Sequence, residues 1–268
     1  MRPVGRRRST SGRVGALARW TVLLLASALF LLPFALLLRD GVGTGWATVR
    51  QVFTTTDVPF ARSLLNSTTV AVLQTAGQVL VCSLAGYGLA RVPYRHANRV
   101  LAAIVATLMV PTAVTFLPTF VVVSSLGWVS DLRGLVVPGL FSALNAFLFR
   151  QCFLDFPAEL EEAGTLDGLS RWGVFRRIVV PNRLGFFAAI AVIDFIGAWN
   201  QFLWPLVIAQ DSSSWTVQVA LSALLTAQNP RTTLLFAAAA VSVLPIALVF
   251  ALLQRHLVRG VTETGLNG

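Results

Sequence analysis

Residues 184–209 read LGFFAAIAVIDFIGAWNQFLWPLVIA, an apolar run whose one charged residue is Asp194. A helix that crosses a bilayer needs about 20 predominantly apolar residues, and this run supplies them. Five further runs of similar character lie outside it: Trp20–Leu38, Asn66–Leu89, Val100–Val123, Leu135–Leu154 and Leu234–Leu253. The spacing therefore predicts an all-α integral membrane protein with about six spans. The composition agrees: 56% of the 268 residues are hydrophobic and 12% charged, about half the charge of a soluble domain. Mean hydropathy is +0.74. The first run follows six arginines but is too long for a secretory h-region of about 7–15 residues, so it reads as a retained signal-anchor helix.

The net charge of +10 comes entirely from arginine, since the sequence has no lysine. Sixteen of the 21 basic residues fall in the two tails and the loops after the second and fourth runs, against five in the alternate loops. The positive-inside rule then puts both termini in the cytoplasm. It also explains the basic balance without nucleic acid. The expected organisation is a basic tail over 1–19, a membrane domain over 20–254 and a cytoplasmic tail over 255–268. Cys82 and Cys152 fall in or at spans and read as packing residues.

Polar residues inside the spans are the candidate pathway. Asp194 stands about 13 Å into its run at 1.5 Å per residue, near mid-bilayer, where an aspartate costs about 2.5–3.5 kcal/mol on insertion scales. It can accept hydrogen bonds from hydroxyl groups, pair with an arginine of another chain, or stay protonated. In a continuous helix Gln201 would lie about 20° from Asp194 after two turns, and Asn200 about 120° away. Asn145 is the polar residue of the fourth run, which also contains Pro138. Prolines 111, 118, 205 and 245 interrupt other runs and free carbonyls that neighbours must satisfy.

The segment Asp155–Arg183 is too long and too patterned for a linker. Asp155 and Pro157 resemble a helix start. Glu159, Glu161 and Glu162 follow, where the helix dipole favours acids. Gly168 fits a helix stop, and Ser170 can cap a second helix that ends near Pro181. Ala163 and Gly164 would give the first helix a small-residue face, flanked by acids able to pair with a partner's arginines.

The run Glu162-Ala163-Gly164, three residues, Gly168, nine residues, Ile178-x-Val180-Pro181 resembles the Glu-Ala-Ala loop motif of ABC importer permeases. Gly164 and Val180 stand where that motif has alanine and leucine. Phe149-Arg150-Gln151, Pro157 to Ala163, Trp199 to Leu206 and Gln254 to Gly260 are similar to the carbohydrate-uptake, maltose-type subfamily. The resemblance implies a type I importer permease fold and import of a sugar or sugar derivative. It implies that Glu162, Ala163, Gly164, Asp167 and Gly168 form a coupling helix against a separate ATPase, which carries ATP and Mg. Further partners implied are a second permease and an extracytoplasmic sugar-binding protein, all at the bacterial inner membrane. Leu266-Asn267-Gly268 would approach the ATPase dimer.

ATP hydrolysis of the P-loop kind needs a lysine at the phosphates, which this sequence lacks. The only histidines, His96 and His256, fall in cytoplasmic segments, and no metal-ligand spacing appears. No catalytic, cofactor or metal residue is therefore expected on this chain. The competing reading is an ion-coupled secondary carrier in which Asp194 takes a proton; it leaves the cytoplasmic hairpin unexplained.

Overall fold

The computed structural model describes residues 11–42, 45–55, 57–225 and 231–264. The expectation for Leu266-Asn267-Gly268 lies outside the described residues. The described chain is helical, in the order α1 (Ser11–Val42), α2 (Trp46–Thr54), α3 (Phe60–Arg91), α4 (Ala97–Ala106), α5 (Thr112–Ser125), α6 (Leu132–Val136) and α7 (Ala143–Leu154). There follow α8 (Ala158–Leu166), α9 (Arg171–Val174), a π-helical turn (Phe175–Val179), α10 (Val180–Asn182), α11 (Leu184–Trp199), α12 (Leu203–Ile208), α13 (Val217–Ala223) and α14 (Thr232–Thr264).

Among the described residues two helices, α3 and α14, are long and apolar enough to cross a membrane unbroken, and three bent pairs of helices, each taken as one span, raise the number to five. The described apolar stretch Arg19–Leu32 of α1 is shorter than the length a crossing helix needs. Three runs that the sequence presents as continuous are broken, each for a local reason. Residues 97–125 bend by 99° ahead of Pro111. Val110 there is extended, with φ −84° and ψ 114°, because a residue before proline is pushed out of the α region. Residues 132–154 bend by 44° after a single 3₁₀ turn holding Pro138, and Ser142 restarts the helix by accepting the backbone N–H of Asn145 at 3.3 Å.

The third break falls in the run 184–209. Its first helix stops at Trp199 and α12 begins only at Leu203. In an unbroken helix Pro205 would lack the bond to Gln201 and press its ring against that carbonyl. Asn200 closes α11 by donating its side-chain amide to the Ile196 carbonyl at 2.9 Å. The helical register that put Gln201 beside Asp194 therefore does not exist.

The bundle core forms around α3, whose 32 residues span about 48 Å, well beyond a hydrocarbon layer of about 30 Å. One cluster joins Ala71 of α3 to Phe195 and Trp199 of α11, Ala220 of α13 and Ala237 and Ala238 of α14. A second joins Cys82 and Tyr87 of α3 to Phe149 and Phe153 of α7, Phe175, and Ile190 of α11. Small residues sit where helices meet, as membrane packing requires without a hydrophobic drive between helices. Gly86 brings α3 so close to α7 that an added Cβ would lie 2.7–2.8 Å from Phe149 Cβ and the Arg150 nitrogen. Cys82 and Cys152 are buried and free. The polar start of the second run also faces protein: Asn66 donates to the carbonyls of Ser213 (2.9 Å) and Trp215 (3.0 Å), and the Ser67 hydroxyl accepts from the Val217 backbone N–H at 2.7 Å.

Candidate functional site: a projecting helix and an intramembrane polar cluster

The segment after α7 forms the expected helix, glycine turn and second helix. One detail differs: Asp155 closes α7, its N–H bonded to the Gln151 carbonyl at 3.1 Å, and does not start the next helix. Pro157 stands ahead of α8, with Glu159 and Glu161 in the first turn. Gly168 takes φ +83°, the left-handed region that favours glycine, and so reverses the chain. Ser170 then caps the second helix by accepting the Gly173 N–H at 3.2 Å. That helix runs through the π turn to Asn182 and meets α11 at 79°.

The two faces of α8 differ. Glu162, Ala163, Leu166, Asp167 and Gly168 are exposed, and Leu166 retains 88% of its accessible surface. Gly164, expected on this outer face, is buried instead. It packs inward, where an added Cβ would fall 2.3 Å from Ile178 Cδ1. The small residue therefore serves the packing of α8 on its own hairpin and is closed to a partner. Glu161 also turns inward, with one carboxylate oxygen 2.8 Å from Arg91 Nε and the other accepting the Tyr87 hydroxyl at 2.9 Å. Between the end of α3 and α8 lies an open cleft of ≈ 460 Å³, lined by Tyr87, Arg91, Glu161, Glu162, Leu166 and Arg171 among others.

The membrane-depth candidates separate into two groups. Asp194 and Asn145 meet: Asn145 Nδ2 lies 2.8 and 2.9 Å from the two carboxylate oxygens. The same nitrogen is 3.2 Å from Gln78 Oε1, and Gln78 Nε2 donates to the Gly139 carbonyl at 2.6 Å. Within the chain, then, the Asp194 carboxylate is met by an amide. Asn145 is buried and Asp194 half-buried. Asn200 belongs to a second group at the break after α11, where its Oδ1 accepts from Gln218 Nε2 at 3.3 Å. Gln201 joins neither by its side chain; its backbone N–H bonds to the Ala198 carbonyl at 3.4 Å.

Sequence reasoning passed over Gln78, Gln218, Tyr87 and Arg91 as site residues. Gln74 and Gln78 stand four apart on α3, the spacing of one helix face, and two amides inside an apolar run were the available signal. Tyr87 and Arg91 repeat that spacing at the end of the same helix. Among the described residues no group of three or more His, Cys, Asp and Glu is placed to hold a metal ion.

This arrangement of bent helices around α3 is that of a type I importer permease. It superimposes on a chain of a bacterial ABC transporter involved in the import of the acidic polysaccharide alginate, with a TM-score of 0.78 at 20% identity, over 95% of this chain and 99% of that one. The sequence is more specific. Residues 78–263 match the binding-protein-dependent transport system inner membrane component family, and the chain belongs to it. It is 33% identical to the lactose transport system permease protein LacG of Rhizobium radiobacter, over 92% of this chain and 95% of that protein. It is 34% identical to the sn-glycerol-3-phosphate transport system permease protein UgpE of Pectobacterium atrosepticum, over 82% and 80%. With the arabinooligosaccharides transport system permease protein AraQ of Bacillus subtilis it shares 29%, over 76% and 72%.

Proposed function

We propose that this chain is one of two permease subunits of an ATP-driven importer for a sugar or sugar derivative. It forms half of the translocation pathway and takes its energy from a separate ATPase through α8. The observation that carries this reading is the division of α8 into an anchored inner face and an outer face of Glu162, Ala163, Leu166 and Asp167 open to a partner. An exposed leucine beside two acids suits a cleft that is apolar at its floor and lined with arginine at its rim. The family match favours this over an ion-coupled carrier, since family members work with a binding protein. ATP and Mg then belong to the partner, whose P-loop supplies the lysine missing here.

The relatives named for lactose, arabino-oligosaccharides and glycerol phosphate support a polyhydroxylated cargo delivered by an extracytoplasmic binding protein. Asp194, Asn145 and Gln78, with Asn200 and Gln218 nearer the end of α11, offer carboxylate and amide groups of the kind that recognise hydroxyls. The exposed bend at Met109 and Val110 suits a second permease. The test is co-purification of the native complex with its ATPase, together with uptake of a panel of labelled sugars. Glu162→Arg should lose both the ATPase and the uptake while the chain stays in the membrane. Retention of both would refute the reading.

A further inference from the structure

The inner face of α8 is tied to the bundle by groups that the outer docking face does not use. Both carboxylate oxygens of Glu161 are engaged, one by Arg91 Nε and one by the Tyr87 hydroxyl, at 2.8 and 2.9 Å. The Arg91 guanidinium also donates through Nη2 to the carbonyl of Phe156, the residue that leads into Pro157 and α8. The side chains of Arg91 and Glu161 keep only 20% and 14% of their surface exposed. The Tyr87 ring is set by Phe153 and Phe175, at 5.5 and 4.9 Å between centroids. From the other side Arg183 donates to the Asp155 carbonyl at 2.8 Å and lies over the Phe156 ring at 5.5 Å. Tyr87 and Arg91 thus grip the first turn of α8 and the peptide entering it, and both stand on α3, the helix about which the core is built.

Adjacent glutamates therefore face opposite ways: Glu162 outward to solvent, Glu161 inward to α3. We propose that Tyr87, Arg91 and Glu161 are positioning residues that carry a displacement of α8 directly into α3, so that the two helices move as one body during the transport cycle. The connection between α7 and α8 alone, residues 155–157, would be a softer route. Breaking a largely buried ion pair costs far more than breaking an exposed one, so this contact resists separation of the two helices. This proposal rests on the reading that an ATPase docks on α8.

Two measurements on the reconstituted complex test it. In the first, spin labels at Leu84→Cys on α3 and Leu160→Cys, an exposed position of α8 outside the docking face, report the distance between the helices in nucleotide-free and ATP-bound states. The two distances should agree within about 2 Å, whereas sliding of packed elements by a helical turn would move them by about 5 Å. A change of that size in the otherwise native chain overturns the proposal. In the second, sugar carried per ATP hydrolysed is compared among variants that still co-purify with the ATPase. Arg91→Gln and Glu161→Gln should lower that ratio about tenfold and Tyr87→Phe about threefold, the range by which residues on a coupling route act. Arg91→Lys, which keeps a cation for Glu161, should recover part of the loss. An unchanged ratio in an assembled Arg91→Gln complex overturns the linkage, and if that variant fails to assemble the distance measurement decides alone. Failure of the otherwise native chain to bring down an ATPase would refute the docking reading first, and the linkage with it.

Discussion

Replacing Asn145 with leucine isolates the energetics of the charged residue in the membrane. The substitution keeps the heavy-atom count and branching of the side chain, but it removes the one nitrogen that lies 2.8 and 2.9 Å from the Asp194 oxygens. It also removes a donor from Gln78. An unsatisfied buried polar group costs about 1–3 kcal/mol, and more when it is charged. An aspartate at mid-bilayer costs about 2.5–3.5 kcal/mol on insertion scales. Asn145→Leu should therefore destabilise the chain by about 2–3 kcal/mol in a denaturant titration in mixed micelles. Replacing both partners by leucine removes the charged orphan together with its donor and leaves only Gln78 short of a donor, so the double variant should be more stable than Asn145→Leu alone. The two sites should then show a coupling energy of at least about 1 kcal/mol. Uptake separates structure from pathway: the double variant should be stable yet impaired in transport if Asp194 meets the cargo. An Asn145→Leu chain as stable as native within about 0.5 kcal/mol would refute the argument that this amide is what makes Asp194 tolerable.

Other outcomes follow from close approaches and exposed pairs. Gly86→Ala drives a methyl into the backbone at Arg150 and should cost about 1–3 kcal/mol by overpacking, read from the same titration. Gly164→Ala crowds the terminal methyl of Ile178, which can rotate away, and reaches Val174 and Leu169 at 3.4 and 3.5 Å, ordinary contact distances, so both stability and uptake should stay near native. Asn66→Ala strands two carbonyls, of Ser213 and Trp215, and should lower stability by about 1–3 kcal/mol. In the loop before α6, hydrogen bonds from the Arg133 side chain, then from its backbone N–H, hold the Asp131 carboxyl below the ordinary aspartate value. A depressed folded value means the stabilisation is present above the unfolded pKa of about 4 and lost as pH falls through the folded value. Carbon-detected NMR titration should show the Asp131 value rising in Arg133→Gln.

How much of this was legible in the sequence depends on what kind of force sets each feature. The spans are written in apolar run length, because lipid tolerates little else. The hairpin at 155–183 is written in local chemistry: Gly168 at positive φ and Ser170 as a cap both act within a few residues. The breaks were not read, although their causes were visible. Pro111, Pro138 and Pro205 mark interruptions, but how far a helix bends depends on what its neighbours allow, so composition does not set 99° at one proline and 44° at another. Missing the break at Asn200 carried a wrong face for Gln201. The pairing of Asp194 with Asn145 and Gln78 joins three separate helices, and no local pattern specifies it. The direction of Gly164 was misjudged for a related reason. A small residue marks a close approach, and the sequence does not say whether a partner or the chain's own Ile178 makes it.

The central claim is that the outer face of α8 seats in a cytoplasmic ATPase. Cysteine cross-linking from Ala163→Cys tests it most directly, in membranes where the transporter's ATPase is co-expressed. The account predicts a cross-linked product containing both chains and protection of that cysteine from a membrane-impermeant thiol reagent added outside, while Leu126→Cys at the far end of α5 reacts with it. Labelling of Ala163→Cys from outside, or no cross-link to the ATPase in a complex that still imports its sugar, would contradict it.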